Sequence, residues 1–469
     1  MTQGAGAMIH GAKDGLEPRQ GPLSAVLPAE PATAARRRVR VDYVARVEGE
    51  AALDLEIEDG KLTRLVLDIF EPPRFFQAFL KGRHFTEVPE ITSRICGICP
   101  VAHQLTAIQA LEAALGVTVP EPVRVLRHLL AISQILQSHV LHIYMLALPD
   151  FLGYESVLAM AQDHAEVVNR ALHMKRLGND FTEFVGGRAV HPVTAVIGGF
   201  TRWPDPAEAA AMRRRLEASW DDLLATARLV QGLSRPAHLP PPQAYEMAAL
   251  RAEQGYAIQE GRWHSTGGLD TAPADYRQHV EEHHVPPSHA LHSRIRGRGP
   301  FIVGPLARLN LNRDRLNAWG QAMLDECGLQ LPSQDMFDSI KARVVELGQL
   351  IRDALDLLAE FPAPPRPVPV PVRAGEGAAI TEAPRGSLYH AYAVNARGFI
   401  EKADIVAPTS HNAASMEQEL RDSAPALVNL PDEEIRRISE MMIRNYDPCF
   451  SCSVHCVKVR IRRHSARER

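Results

Sequence analysis

Two Cys-x-x-Cys pairs stand near opposite ends of a 469-residue chain, and each is followed at short range by a histidine. The first reads RICGICPVAH, with Arg94, Cys96, Cys99 and His103; the second reads DPCFSCSVH, with Asp447, Cys449, Cys452 and His455. Four of the six cysteines are spent on these pairs, which lie about 350 residues apart. Two thiolates on one tight turn converge on one metal, because soft sulfur donors outcompete oxygen for soft and borderline ions. Cysteine spacing alone favours a structural zinc site, for which two such knuckles are the usual signature. The context speaks against it. Zinc knuckles usually close short loops, where the metal does most for local folding, and here the intervening chain is enzyme-sized. Arg94 and Asp447 also set opposite charges beside the thiolates, which a structural zinc site does not need. A disulfide framework fares worst, since six cysteines in 469 residues is too sparse for one.

Certain elements must bring the pairs together. Leu53, Leu55 and Ile57 alternate with polar residues, Asp59-Gly60 supplies a turn, and Leu65, Leu67 and Ile69 alternate again, which predicts a hairpin. Pro100 opens a helix directly after the first pair, with His103 one turn beyond Cys99. Pro122–Leu148 is apolar nearly all round and predicts a central helix. Further helices are expected over Leu158–Leu177, Pro206–Leu233 and Arg315–Ala359. Phe361–Arg373, FPAPPRPVPVPVR, cannot be helical and reads as an extended segment on the surface rather than a free linker, because the two cysteine pairs must return to each other. The fold class expected is mainly α with a small N-terminal β element. There is no internal repeat.

Composition narrows the function classes. At 45% apolar content the chain can bury a large core, as one big domain or two. A net charge of −4 without a basic block in the folded region argues against nucleic acid. No apolar run reaches the ~18 residues of a membrane span. The first 40 residues lack the apolar stretch of a secretory signal and read as a disordered arm, which fits a cytoplasmic protein. No G-x-G-x-x-G fingerprint lies on a strand–helix turn, so nicotinamide binding is expected on other chains.

The two cysteine motifs resemble the paired metal-ligand motifs of the large, catalytic subunit of NiFe hydrogenases. RVEGE (Arg46 to Glu50), EPPRFFQAFLKGR (Glu71 to Arg83), GGRAVHP (Gly186 to Pro192), EAPRG (Glu382 to Gly386) and APTSHN (Ala407 to Asn412) join in the same order. The likeness runs from about residue 41 to His455, and its wording is closest to the soluble bidirectional, sulfhydrogenase-like NAD(P)-linked group.

The resemblance implies a helix-bundle fold and reversible heterolytic cleavage of H2 to a hydride and a proton. It implies that Cys96 and Cys449 bind nickel terminally, that Cys99 and Cys452 bridge nickel and iron, and that the iron carries carbon monoxide and cyanide. Arg385, Asp150 and Asp447 correspond to a charged canopy over the metals. Pro384 and Thr409 line the iron-ligand pocket, with Thr409 donating to a cyanide nitrogen. Glu48 matches a glutamate that relays protons from a nickel thiolate. His455 matches a ligand of an accessory magnesium or iron ion, and here the chain departs from the pattern: Gln77 stands where a glutamate usually completes that site, and a neutral amide is a weaker ligand for a hard cation. His103 is expected to support the site by a hydrogen bond. The clusters His283, His284, His289, His292 and His139, His142 are read as core or surface residues, and Cys327 as a buried apolar side chain. Residues 41–455 would be the catalytic domain, and 456–469 an extension removed after nickel insertion, with a maturation protease and nickel-insertion proteins as partners. With no cysteines left for clusters, an iron–sulfur small subunit must take the electrons, and NAD(P)-reductase subunits are expected behind it. Two rivals remain: a metal-free, hydrogenase-derived structural subunit of a redox complex, and a zinc-stapled scaffold.

Overall fold

The hairpin forms where its alternation places it, with Ala52–Glu58 pairing antiparallel to Lys61–Asp68. Asp59 and Gly60 both take positive φ, 50° and 71°, the twist that closes two strands with a two-residue turn. Leu53, Leu55, Ile57, Leu65 and Leu67 are buried beneath it. The structure, a computed structural model, describes residues 37–72 and 74–454. A third strand, Arg37–Val41, adds to the hairpin. The arm expected to run to residue 40 therefore gives up its last four residues to a strand. Val39 and Val41 alternate into the core while Arg37 Nη2 donates to the Leu430 carbonyl at 2.7 Å. The rest of the arm, His455 and the basic tail lie outside the described residues.

The central helix runs Glu121–Leu141, continues as a π turn over His142–Ala147, and ends with Leu148–Leu152. The wider turn brings Pro149 into the first turn of the last segment, where its missing N–H costs no hydrogen bond. Among the described residues, this 32-residue run is the one stretch long and apolar enough to cross a membrane by length and composition. It is a core helix: 83% of its most apolar window is buried inside the fold. It packs against Ser339–Ala359, which is buried along most of its length, and against Ala165–Gly186.

Three expected helices are each interrupted. The first breaks at His164, between Val157–Asp163 and Ala165–Gly186, and the second at Ala218–Ser219, between Pro206–Glu217 and Trp220–Gln231. The third splits into Ala318–Glu326 and Ser339–Ala359, because Gly328 takes a left-handed φ of 66° and Pro332 follows. Phe361–Arg373 takes neither helix nor strand and is held to the body: Trp203 Nε1 donates to the Pro362 carbonyl at 2.9 Å, and Val370 packs on the core around the cysteines.

Sheets beyond the N-terminal one have no signature in the pattern. Gly375–Ala383, Gly386–Val394 and Ile400–Val406 form an antiparallel three-stranded sheet lying on the helix Pro100–Leu115. The middle strand is buried almost throughout, so the period-two alternation that would announce it is missing.

Candidate metal centre

The first pair sits on the turn that ends in Pro100, and the helix Pro100–Leu115 starts one residue after Cys99. The backbone N–H groups of Ile98 and Cys99 donate to Cys96 Sγ at 3.2 and 3.3 Å, so the turn itself supports charge on that sulfur. The second pair follows Asp447, which takes a left-handed φ of 52°, and opens the short helix Phe450–Ser453. The Cys449 N–H donates at 2.8 Å to Thr409 Oγ1, which stands in the first turn of the helix Pro408–Leu427.

The pairs meet. Cys96 Sγ lies 3.3 Å from Cys449 Sγ, Cys99 Sγ lies 3.5 Å from Cys452 Sγ, and the two sulfurs of the second pair are 2.7 Å apart. All four sulfurs fall within 4.8 Å of one another, and all four residues are buried. Burial works against a charged Cys96, but hydrogen bonds from the neighbouring thiols and the charge of Arg385 outweigh it and hold Cys96 well below the ordinary thiol range. Burial and the crowding of sulfurs push Cys449 and Cys452 far up. Four thiolates in one buried pocket ionise together only around a cation, and soft cations fit this donor set.

Arg385 is buried at 3% exposure, with Nη2 2.9 Å from Asp447 Oδ1. Burial alone would lower its pKa; Asp447 and the thiolates of Cys449, Cys96 and Cys99 reverse that, so the guanidinium stays charged. Burial would raise the Asp447 carboxyl, but Arg385 and then Arg343, whose Nη2 is 3.6 Å from Oδ2, help keep it below the usual range. Asp150 is engaged elsewhere. It accepts from Arg444 Nε and Nη2 at 2.6 and 2.9 Å and pairs with Arg46. Of the two aspartates expected beside Arg385, Asp447 is the partner.

Glu48 meets the second pair directly. Its Oε2 lies 2.9 Å from Cys449 Sγ and accepts from the Ser451 N–H at 3.3 Å, while its carbonyl accepts from the Phe450 N–H at 2.8 Å. Burial and then the negative Cys96 raise the Glu48 carboxyl, against hydrogen bonds from Cys449 and Ser451. Gly49 makes this approach possible: a Cβ there would sit 2.7 Å from Ser451 N and 2.9 Å from Phe450 Cβ, and its φ is +89°. That is the physical content of the glycine in RVEGE.

Other residues fall into lesser places. Gln77 Nε2 donates to the Ile405 carbonyl at 3.1 Å. Pro384 is buried at the turn before Arg385. His103 Nδ1 lies 3.2 Å from His390 Nε2, one helical turn beyond Cys99. In the GGRAVHP loop, His191 Nδ1 hydrogen-bonds the Ser93 carbonyl at 2.9 Å, just before the first pair. His139 and His142 are core residues, bonded to Glu346 and to the Arg444 carbonyl. His292 is buried and His283 and His284 are exposed, while burial pushes the Cys327 thiol up to about 11. The sequence alone assigns no role to Arg46, Glu71, Arg74, Arg343, Arg444 or Ser451. Arg74 Nη2 donates to Glu71 Oε1 and to Ser451 Oγ, each at 2.7 Å, and so ties EPPRFF to the second cysteine loop. Arg46, Glu71 and Arg74 lie inside motifs singled out above; Arg343 and Arg444 sit in helical patterns where nothing marks an arginine as buried.

The sequence pattern of the nickel-dependent hydrogenases matches residues 74–174 and 330–455. Sulfhydrogenase 1 subunit alpha of Pyrococcus furiosus is 34% identical over 425 residues, spanning 90% of this chain and 98% of the relative. The NAD-reducing hydrogenase HoxS subunit beta of Cupriavidus necator is 26% identical over 477 residues, spanning 90% and 95%. Among solved structures, an NAD+-reducing NiFe hydrogenase in the H2-reduced state aligns with a TM-score of 0.81 at 28% identity, over 90% of this chain and 100% of that one.

Proposed function

The chain belongs to the nickel-dependent hydrogenase family as a large, catalytic subunit, and we propose that Cys96 and Cys449 hold nickel terminally while Cys99 and Cys452 are shared between nickel and iron. The observation that carries the reading is the convergence of four buried sulfurs within 4.8 Å from motifs 353 positions apart. A nickel–iron centre supplies the Lewis-acid polarisation and redox capacity that heterolytic H2 cleavage needs. The chain's own residues do the rest. A proton released at Cys449 Sγ has Glu48 Oε2 2.9 Å away, and the burial-raised carboxyl suits it to accept and pass on that proton. Arg385, permanently charged, offsets the thiolates rather than acting as a base. Asp447 anchors Arg385, and Asp150 ties Arg46 to Arg444. Thr409 Oγ1 accepts from the Cys449 N–H, which leaves its own O–H to donate to a cyanide nitrogen, and Pro384 would line the same pocket.

The accessory ion finds less support. The Gln77 amide N–H is given to the Ile405 carbonyl, which leaves only its neutral Oε1 for a hard cation, a weaker ligand than a carboxylate.

The large subunits of this family pair with small subunits. Passage of electrons through an iron–sulfur small subunit to NAD(P)-reductase subunits, and a cytoplasmic location, are our reading from the cysteine count and the NAD-linked relative. Elemental analysis of the purified protein tests the core of the proposal: nickel with iron is expected, and zinc alone, or no metal, would overturn it. Intact mass spectrometry tests maturation. The active enzyme should end at His455, and a fully active, nickel-loaded chain of 469 residues would refute processing.

A further inference from the structure

Arg385 stands at the tip of a β-hairpin whose turn has only two residues, Pro384 and Arg385, since Ala383 pairs with Gly386. Hairpin tips are ordinarily surface features, yet this one is buried, so its carbonyls need partners inside the protein. Arg308 supplies them. Its Nη1 donates to the Ala383 carbonyl at 3.0 Å and its Nη2 to the Pro384 carbonyl at 3.1 Å, the two carbonyls just before Arg385. Its three remaining N–H groups go to carboxylates: Nε and Nη2 to Glu346 at 2.6 Å each, and Nη1 to Glu382 at 3.1 Å. A guanidinium has five donors in a fixed plane, and here all five are spent.

The clamp is itself held. Glu346 also accepts from Tyr256 Oη at 2.5 Å and pairs with His139 Nε2 at 2.7 Å. The other oxygen of Glu382 accepts from the Leu250 N–H and the Ser387 hydroxyl, both at 2.8 Å. Glycines also let the backbone close in: a Cβ at Gly304 would lie 3.1 Å from the Arg385 carbonyl, and one at Gly386 would strike Val303 at 2.4 Å. The Arg385 side chain, by contrast, is held by little. Nη2 reaches Asp447, while Nε and Nη1 have no hydrogen-bond acceptor among the described residues. The aim of its guanidinium is therefore set mainly by where the hairpin tip is fixed.

We infer that Arg308 is a positioning residue for Arg385: its planar fork fixes the buried hairpin tip and thereby directs the Arg385 guanidinium at the thiolate cluster. Lysine keeps the charge but has one nitrogen, which cannot serve two carbonyls and two carboxylates in one plane. In the intact enzyme complex, Arg308→Lys should lower H2 oxidation at least tenfold while nickel and iron content stay at the wild-type level. It should also shift the infrared stretching bands of the iron's carbonyl and cyanide ligands, which a merely structural residue would leave alone. The deciding measurement is the double-mutant cycle with Arg385→Lys. Arg308→Lys should cost less than threefold further in that background, because there is no longer a fork to aim. Additive losses, unshifted bands or wild-type turnover in Arg308→Lys would each overturn the inference. Should Arg308→Lys fail to fold or load metal, Glu382→Gln replaces it in the same cycle with the same criteria, since it removes the anion facing Nη1 at nearly unchanged shape. The inference rests on the role proposed above for Arg385. Full turnover in Arg385→Lys sinks both, whereas an impaired Arg385→Lys beside a normal Arg308→Lys sinks this one alone.

Discussion

The thiolate cluster has two borders that differ in kind. On one side Arg385 and Asp447 are buried at 3% and 2% exposure and meet in a 2.9 Å ion pair. Neither changes charge readily: the arginine is held above its ordinary pKa and the aspartate below. On the other side Glu48 is half-buried, 2.9 Å from Cys449 Sγ, with its carboxyl pushed up by burial and by Cys96. One border supplies fixed charge and the other a group that can gain and lose a proton. Both borders bear on Cys449, one through a charge that stays fixed and the other through a group that titrates, so electrostatic support and proton removal answer to different substitutions.

The most severe break of this comparison removes what the borders share. Cys449→Ser should abolish both nickel loading and turnover, a loss of more than about a thousandfold, because an alcohol is not a thiolate donor. Metal analysis alongside H2 oxidation with an artificial dye checks it, and near-stoichiometric nickel in the serine variant would contradict the ligand assignment.

Arg385→Lys should keep the metals but lose on the order of a hundred- to a thousandfold in H2 oxidation, the range for removing a preorganised electrostatic contact. Wild-type-like rates would reduce Arg385 to a structural ion pair.

Glu48→Gln addresses the other border. The amide is nearly isosteric and cannot titrate, so folding and metal content should survive while proton/deuterium exchange falls about a hundredfold. Undiminished exchange would mean that protons leave by another route.

The smallest effect expected comes from a carboxyl paired with neither border's charged groups, and it serves as their control. Glu419 is buried, accepts from Tyr446 Oη at 2.8 Å, and is faced by Arg235, Asp335 and Asp422. Burial raises its carboxyl to about 7, with the Tyr446 hydrogen bond and Arg235 pulling the other way. A carboxyl whose folded pKa is raised binds more protons folded than unfolded, so its contribution to stability is full below the unfolded value and is lost as pH rises through the folded one. Stability should therefore decline as pH rises from about 4.5 to about 7, at most by about 1.4 kcal/mol for each pH unit crossed. Glu419→Gln should flatten that part of the profile in thermal melts. An unchanged slope would show that Glu419 titrates normally, and a matching change in turnover would show that it is not independent of the site.

The chain alone specified a good deal. Cysteine spacing, the Asp59-Gly60 hairpin, the helix after Pro100 and the long apolar central helix are written in patterns spanning a few turns or strands, where local geometry dictates which residues share a face. Motif wording then located Glu48, Arg385 and Asp447 near the cysteines. Other features had no local signature. The middle strand of the sheet from Gly375 to Val406 is buried too evenly to alternate. Buried arginines read like surface ones, so Arg308, Arg343 and Arg444 went unmarked. Gln77 could be recognised as an unusual residue, but not as a donor to Ile405. Whether Asp150 or Asp447 meets Arg385 was decided only by the tertiary structure, which gives Asp150 to Arg46 and Arg444. The physical reason is the same in each case. A residue's type and its near neighbours fix what it can bond, whereas which buried charge it actually meets depends on chain crossings between separate segments, 38 positions apart for Arg308 and Glu346 and 294 for Asp150 and Arg444.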